Sequence, residues 1–321
     1  FAYYDKITKD QIVSATLPPE TGYTSETKNV GKIGNKGIEA ALSVTPVRRG
    51  DWEWEIGTTF AKNNSKVIEL WDGLDEYSYT NSYNVYGVLK VGEPLLQFRI
   101  PALQTVEDPN SPFYGYQVVN NNGVPNVDSS KYKYLGCSQP DFTMGFNTTL
   151  RWKDLTFTAV GDWRHGGLMF SRTANITGFN GNATFTVRNE RDPFVLPKTV
   201  KVVNGEYVEN NIPIMASYWP TAFGNQSMAR VRESWVLPKD YFKLREVTLA
   251  YTLPSKLIKK TFLKQVTVSA IGRNLYLGTP AKNNLVDPES TNLGNDLTSE
   301  FGESGGTIST RNFGFGLKVV F

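Results

Sequence analysis

The chain has 321 residues, a formal net charge of +3, 13% aromatic residues and 28 glycines. Near-balanced charge gives no pull toward nucleic acid or another polyanion, and the single cysteine, Cys137, excludes an internal disulfide framework or a multi-thiolate metal site. With one histidine, His165, and no evident acid/base pair of carboxylates, neither a histidine-dependent nucleophile nor a glycosidase is indicated, so an enzyme is not expected.

No run of about 18 apolar residues is present, which excludes a transmembrane helix but not a membrane barrel, whose alternating strands dilute hydropathy. The opening Phe1-Ala2-Tyr3-Tyr4 reads as mid-strand with no signal peptide before it, so a mature fragment of something longer is expected.

Eight strands are predicted. The first covers Phe1 to Val13, and a Pro18-Pro19/Gly22 loop follows it. The second, Gly37 to Val47, sets Ile38, Ala40, Leu42 and Val44 against Glu39, Ala41, Ser43 and Thr45. A turn at Arg48 to Asp51 leads to the third, with Trp52, Trp54, Ile56, Thr58 and Phe60 on one face and Glu53, Glu55, Gly57 and Thr59 on the other. A long polar segment from Asn63 to Pro140 separates it from the fourth strand, Phe142 to Trp152. There Phe142, Met144, Phe146, Thr148, Leu150 and Trp152 alternate with polar residues that include Arg151.

Lys153-Asp154 turns the chain into the fifth strand, where Leu155, Phe157, Ala159, Gly161 and Trp163 face away from Thr156, Thr158, Val160, Asp162 and Arg164. A second long segment runs from Gly166 to Pro238. The sixth strand, Tyr241 to Leu253, changes phase between Leu244 and Val247, which predicts a bulge near Arg245-Glu246. Pro254 to Lys264 reads as a turn with room for one helical turn, and the seventh strand covers Gln265 to Leu277, starting with Val266, Val268 and Ala270 and then shifting phase to Ile271, Leu275 and Leu277. The eighth is the closing stretch Arg311 to Phe321, with Phe313, Phe315, Leu317, Val319 and Phe321 on one face.

Ten strand residues at ~3.3 Å, tilted by ~40°, rise about 25 Å, the height of an outer-membrane barrel's apolar band. Connections after the second, fourth and sixth strands are short and the others long, the asymmetry of periplasmic turns and outer loops. Tryptophans at the ends of the apolar faces suit interfacial girdles. The fold class expected is all-β, a transmembrane antiparallel barrel with long extracellular loops; the other reading is a water-soluble all-β surface-binding protein.

Several stretches resemble the C-terminal part of SusC/RagA-type TonB-dependent outer-membrane transporters, and the resemblance covers essentially residues 1–321. They are Tyr3-Tyr4-Asp5-Lys6 with Thr8-Lys9-Asp10, Asn29-Val30-Gly31, Asn35-Lys36-Gly37-Ile38-Glu39, Val91-Gly92-Glu93-Pro94-Leu95, Phe113-Tyr114-Gly115-Tyr116, Leu135-Gly136 and Pro140 to Phe146. The last third carries most of the likeness: Asp240 to Pro254, Gly272-Arg273-Asn274-Leu275, Asp287-Pro288-Glu289 and the terminal Phe321. The chain departs from the family at Gly136-Cys137-Ser138-Gln139 and at Leu95 to Pro101.

The resemblance implies the last eight strands of a barrel of about 22, with the plug, the TonB-contacting segment and the earlier strands outside this chain. It also implies a SusD-like surface lipoprotein as lid, and energised import of an oligosaccharide or, alternatively, a peptide across the outer membrane of a Gram-negative bacterium. A passive porin is a further alternative.

Glu39, Glu53, Glu55, Arg151, Asp162, Arg164 and Lys318 are the candidates for the lumen face; barrel interiors are polar by default, so mutual pairing explains them equally well. Trp71, Tyr77, Tyr79, Tyr83, Tyr86, Tyr114, Tyr116, Trp219 and Phe223 are candidates for ligand or lid contact, against loop packing as the plainer role. His165 and Cys137 have no evident partners. No cofactor or metal is expected. Only the Asp287-Pro288-Glu289 oxygens suit a Ca²⁺ ion, and a turn accounts for them as well.

Overall fold

A computed structural model describes residues 1–9, 12–16, 25–29, 31–187, 190–215, 232–291 and 297–321. Eight strands form one antiparallel sheet in chain order: β1 (Ala2–Lys9), β2 (Lys32–Arg49), β3 (Trp52–Glu69), β4 (Phe142–Trp152), β5 (Leu155–His165), β6 (Tyr241–Thr252), β7 (Gln265–Gly278) and β8 (Asn312–Val320). Each strand pairs with the next, and β1 and β8 are the two edges of an open sheet.

The short connections lie at one end. Gly50 (φ 59°) and Lys153 (φ 52°) take left-handed backbone in the two-residue turns, and Ser255–Ile258 supplies the helical turn between β6 and β7. The phase changes read from the sequence are bulges. On β6, Glu246 pairs with Val160 and Leu244 with Gly161, so Arg245 is the extra residue. On β7, Arg273 pairs with Glu246 and Tyr276 with Leu244, which leaves Asn274 (φ 51°) and Leu275 outside the ladder. A bulge at Thr45-Pro46, between the Val44/Ile56 and Val47/Trp54 pairs, was not expected; proline has no N–H to give the ladder.

Three boundaries differ from expectation. The first strand of the sheet ends at Lys9 rather than Val13, and Ile12–Thr16 pairs instead with Ser25–Asn29 in a separate hairpin. β2 and β3 run 18 residues each, well past the apolar alternation, because their ladder continues from Ile33/Val67 down to Arg49/Trp52. The segment 63–140 is not merely polar loop. It holds the strands Glu76–Ser82, Val85–Lys90, Gln97–Leu103 and Val127–Cys137, which form a four-stranded sheet of their own.

Burial is inverted relative to a water-soluble β protein. The largest buried cluster, including Val85, Phe98, Met169, Phe170, Trp235 and Phe301, comes entirely from the three long connections after β3, β5 and β7. Phe301 stacks on Phe98 and lies tilted against Phe170, each at 5.5 Å, so one side chain of the last connection joins the other two. The main sheet instead shows its apolar face outward: Leu249, on the interior strand β6, is 47% exposed and Trp54 on β3 is 38% exposed. An apolar face of this extent marks a surface made for lipid or another protein.

That face carries aromatic rows at both ends. Trp52 and Trp152 stack at 5.5 Å beside the short turns, while Phe142 lies 5.7 Å from Phe60 and 5.0 Å from Trp163 at the far end. From Trp52 to Phe60 is about 26 Å along the strand, or roughly 20 Å after the tilt of a barrel strand. The Trp54 indole donates to Thr148 Oγ1 at 2.8 Å, so its polar atom is satisfied within the apolar band.

Candidate functional site

The opposite face of the same sheet is polar. Strand register puts Glu39, Ala61, Thr143, Arg164 and Tyr241 in one row across five strands, and Glu53, Arg151 and Thr156 in another. Near the short turns, Arg151 donates to Glu53 at 3.1 Å and to Glu55 at 3.3 Å, and Arg48 meets the other Glu53 oxygen at 2.9 Å. Arg164 donates to the Ser138 carbonyl at 2.9 Å and lies 3.7 Å from Glu300. Glu39 is exposed opposite Ala61, and Lys318 is exposed opposite Thr267.

Asp162 leads to the densest charge cluster. The β6 bulge gives Arg245 an extra position on the polar side, and its guanidinium takes both Asp162 oxygens, with Nη2–Oδ2 at 2.8 Å. The same guanidinium reaches Glu289 at 2.5 and 2.6 Å. Lys243, two residues earlier, donates to both Asp287 oxygens at 2.7 Å and to Glu289 at 2.5 Å. Tyr241 completes the set with a 2.8 Å bond to Glu289, and Ser309 donates to Asp287. Three side chains of β6 thus hold the connection between β7 and β8 against the sheet.

Of this cluster, sequence reasoning singled out Asp162 for the lumen face and Asp287 and Glu289 as a turn or Ca²⁺ site, but not Tyr241, Lys243 or Arg245. The missed signal was there: two cations at Lys243 and Arg245 on one strand face, a carboxylate on the neighbouring strand, and a bulge between. Asp287 and Glu289, read as a turn or a cation site, spend their oxygens on the protein's own ammonium and guanidinium. Among the described residues, no group of three or more His, Cys, Asp or Glu side chains is arranged to hold a metal ion.

A second fastening lies alongside. The Lys239 ammonium, 7% exposed, donates to Glu300 at 2.7 Å, and burial pulls its pKa down even though the Glu300 charge opposes this. Glu303, fully buried, accepts from Ser171, from the Thr173 amide at 3.1 Å and from Thr173 Oγ1 at 2.6 Å. It thereby holds the last connection to the start of the helix Arg172–Phe179.

Burial raises the pKa of Glu289, but hydrogen bonds from Arg245, Lys243 and Tyr241 outweigh it and hold the value down at about 2. Asp287 is likewise lowered, burial being overcome by Lys243 and Ser309. A depressed carboxylate stabilises the folded form above its unfolded pKa and loses that contribution as pH falls through the folded one. The docking of 287–291 is therefore expected to keep this contribution in full above about 4.5 and to lose it steadily toward pH 2. Proteolysis of this segment across pH 2–6 with an acid-stable protease checks it; flat protection down to pH 2 would contradict it.

The loop aromatics are mostly occupied. Trp71 stands edge-on to Tyr77 at 4.7 Å, and both, with Tyr79, pack on the buried Val67, Leu70 and Leu89. The Tyr83 ring lies 3.5 Å under the Arg172 guanidinium. Arg99 sits 4.9 Å from the Tyr86 ring and 4.2 Å from that of Tyr132. Tyr116 packs with Phe113 on Val106, Val118 and Val200, whereas Tyr114 is 59% exposed. Trp219 and Phe223 lie outside the described residues. His165 contacts Asp240 at 2.8 Å, and burial raises the Cys137 thiol.

No family model matches the chain. It is 27% identical over 342 aligned residues to "TonB-dependent receptor P26" of Formosa agariphila, which covers 99% of this chain and 32% of that protein. It is 25% identical to "TonB-dependent receptor SusC" of Bacteroides thetaiotaomicron over 165 residues, 48% of this chain and 16% of that one. In fold it matches the RagAB peptide importer in its open-open state with a TM-score of 0.66 at 19% identity, over 99% of this chain and 32% of that one. The chain thus spans about a third of the length of the proteins that match it over nearly its whole length. Its relatives are named receptors and transporters rather than enzymes, and in both sequence and fold the chain resembles SusC/RagA-type TonB-dependent transporters.

Proposed function

We propose that this chain forms the last eight strands and outer loops of a TonB-dependent transporter in the outer membrane of a Gram-negative bacterium, and that it takes part in energised import of a bulky nutrient. The observation that carries this reading is the inversion of burial: the hydrophobic core lies in the long connections, while the sheet's aromatic-bounded apolar face is exposed. In lipid that exposure is favourable, and the charged opposite face, with Glu53, Glu55, Arg151, Asp162 and Arg164, lines the barrel interior. The edges of β1 and β8 are completed by strands from the rest of the transporter, since an open edge cannot persist in hydrocarbon. The plug and the TonB-contacting segment come from the same remainder.

The nutrient is an oligosaccharide in the first reading, delivered under a SusD-like lipoprotein lid. A peptide is the second reading, favoured by the RagAB neighbours being described as a peptide transporter and importer. Deleting TonB in the source bacterium and following uptake of labelled oligosaccharides and peptides tests the proposal. Uptake that persists without TonB would point to a passive porin, and a chain that stays folded and monomeric without detergent would remove the membrane reading altogether.

A further inference from the structure

Four lysines crowd the short connection between β6 and β7: Lys256, Lys259, Lys260 and Lys264, all exposed. No acidic residue occurs between Glu246 and Asp287, and no ion pair among the described residues takes up any of the four. We propose that this turn is a binding site for the phosphates of anionic phospholipids, of the phosphatidylglycerol kind, in the leaflet at the short-turn end. The inference rests on the membrane reading and adds a headgroup preference to it.

The other two short turns carry their own counter-charges. Arg48 meets Glu53 at 2.9 Å, and Lys153 reaches Asp51 at 3.8 Å. The four lysines have only one another nearby, and a surface of diester phosphates supplies the charge they lack. Basic clusters of this size beside a membrane span select anionic headgroups. The backbone holds the turn in place: the Leu257 amide donates to the Pro254 carbonyl at 2.9 Å, and the Lys264 amide to that of Val320 at 2.8 Å.

Large apolar side chains stand among the lysines. Leu257 is 69% exposed and Phe262 79%, and the Phe262 ring stacks on that of Phe321 at 5.7 Å. A patch kept for water or for a soluble anion gains nothing from them. At a lipid interface they enter the acyl boundary while the ammonium groups stay with the phosphates.

Strand register sets the depth. Trp152, Leu155, Tyr251, Val268 and Leu317 lie in one row from β4 to β8. With strands ~4.8 Å apart and tilted by ~40°, equal depth advances by about one residue per strand. The strand ends advance in the same direction, since Trp152 closes β4 whereas β8 runs on past Leu317 to Val320. Phe321, four strands from Trp152 and four residues beyond Leu317, therefore reaches the depth of the Trp52–Trp152 pair.

The test weighs the complete transporter intact by native mass spectrometry, released from micelles carrying equal amounts of phosphatidylglycerol and phosphatidylcholine. The quadruple variant Lys256→Gln, Lys259→Gln, Lys260→Gln and Lys264→Gln is expected to lose at least one retained phosphatidylglycerol per transporter and no phosphatidylcholine. A loop control, Lys131→Gln with Lys201→Gln, should lose neither. Heat-modifiable electrophoretic mobility verifies that each variant is folded.

Phosphatidylglycerol retention that survives the quadruple variant overturns the proposal, and so does an equal loss in the loop control. Soluble polyphosphate bound more tightly than phosphatidylglycerol, and lost in the same variant, would assign the turn to a soluble polyanion and overturn it as well. Equal retention of both lipids, unchanged by the variant, removes the headgroup preference and leaves the membrane reading standing. A protein that retains neither lipid and stays folded without detergent removes both.

Discussion

Replacing Phe315 with arginine is expected to prevent stable assembly in a bilayer, while Thr158→Arg is expected to be tolerated. Phe315 is 92% exposed on the edge strand and pairs with Ala270, which pairs with Leu249, which in turn pairs with Phe157. The row continues to Leu150 on β4, two residues from Trp152 and eight from Phe142, so it lies inside the apolar band toward the short-turn aromatic row. A guanidinium on the lipid face costs up to about 2–4 kcal/mol, the figure for the bilayer midplane, a large share of the 5–15 kcal/mol that typically holds a domain folded. Thr158, on the other face, pairs with Thr149 and Thr248, and a polar barrel interior accommodates a charge. Refolding into liposomes, followed by heat-modifiable mobility, measures both variants. Equal harm from the two would invert the assigned faces.

Lys243→Ala is the second substitution with a large expected effect. It strips Asp287, 10% exposed, of the ammonium that takes both its oxygens, and removes one of the three donors to Glu289. Removing one partner of a buried pair typically costs about 3–5 kcal/mol, because the remaining charge stays buried without compensation. The loss should appear locally, as faster hydrogen exchange in 279–291 and 302–311, with the β3–β5 ladder unchanged. The double variant Lys243→Met with Asp287→Leu should recover much of the protection, since an apolar pair of similar volume leaves no stranded charge. Unchanged exchange in Lys243→Ala would show that Arg245 and Tyr241 on Glu289, Lys239 on Glu300, Phe301 and Glu303 hold the segment without it.

The last strand illustrates what the chain's local pattern contains. Phe313, Phe315, Leu317, Val319 and Phe321 announce a two-residue period, and β8 is a strand with that face outward. The same period located all eight strands, the three short turns and the bulge at Arg245, because alternation and turn chemistry act over two to four residues and need no distant partner. Strand order followed too, since antiparallel neighbours joined by short turns have little freedom of topology.

What the chain's own pattern did not determine was everything set by long-range pairing. The core shared by Phe98, Phe170 and Phe301 and the clamp of Lys243 and Arg245 on Asp287 and Glu289 join residues 44 to 203 positions apart, and the loop sheet built from 76–137 pairs Cys137 with Gln97 across 40. Alternation names a charged face but not the carboxylates that will meet it. Asp287 and Glu289 read as a turn or a cation site until the tertiary structure set them against β6, where the buried Lys243 and the partly exposed Arg245 accounted for their charge.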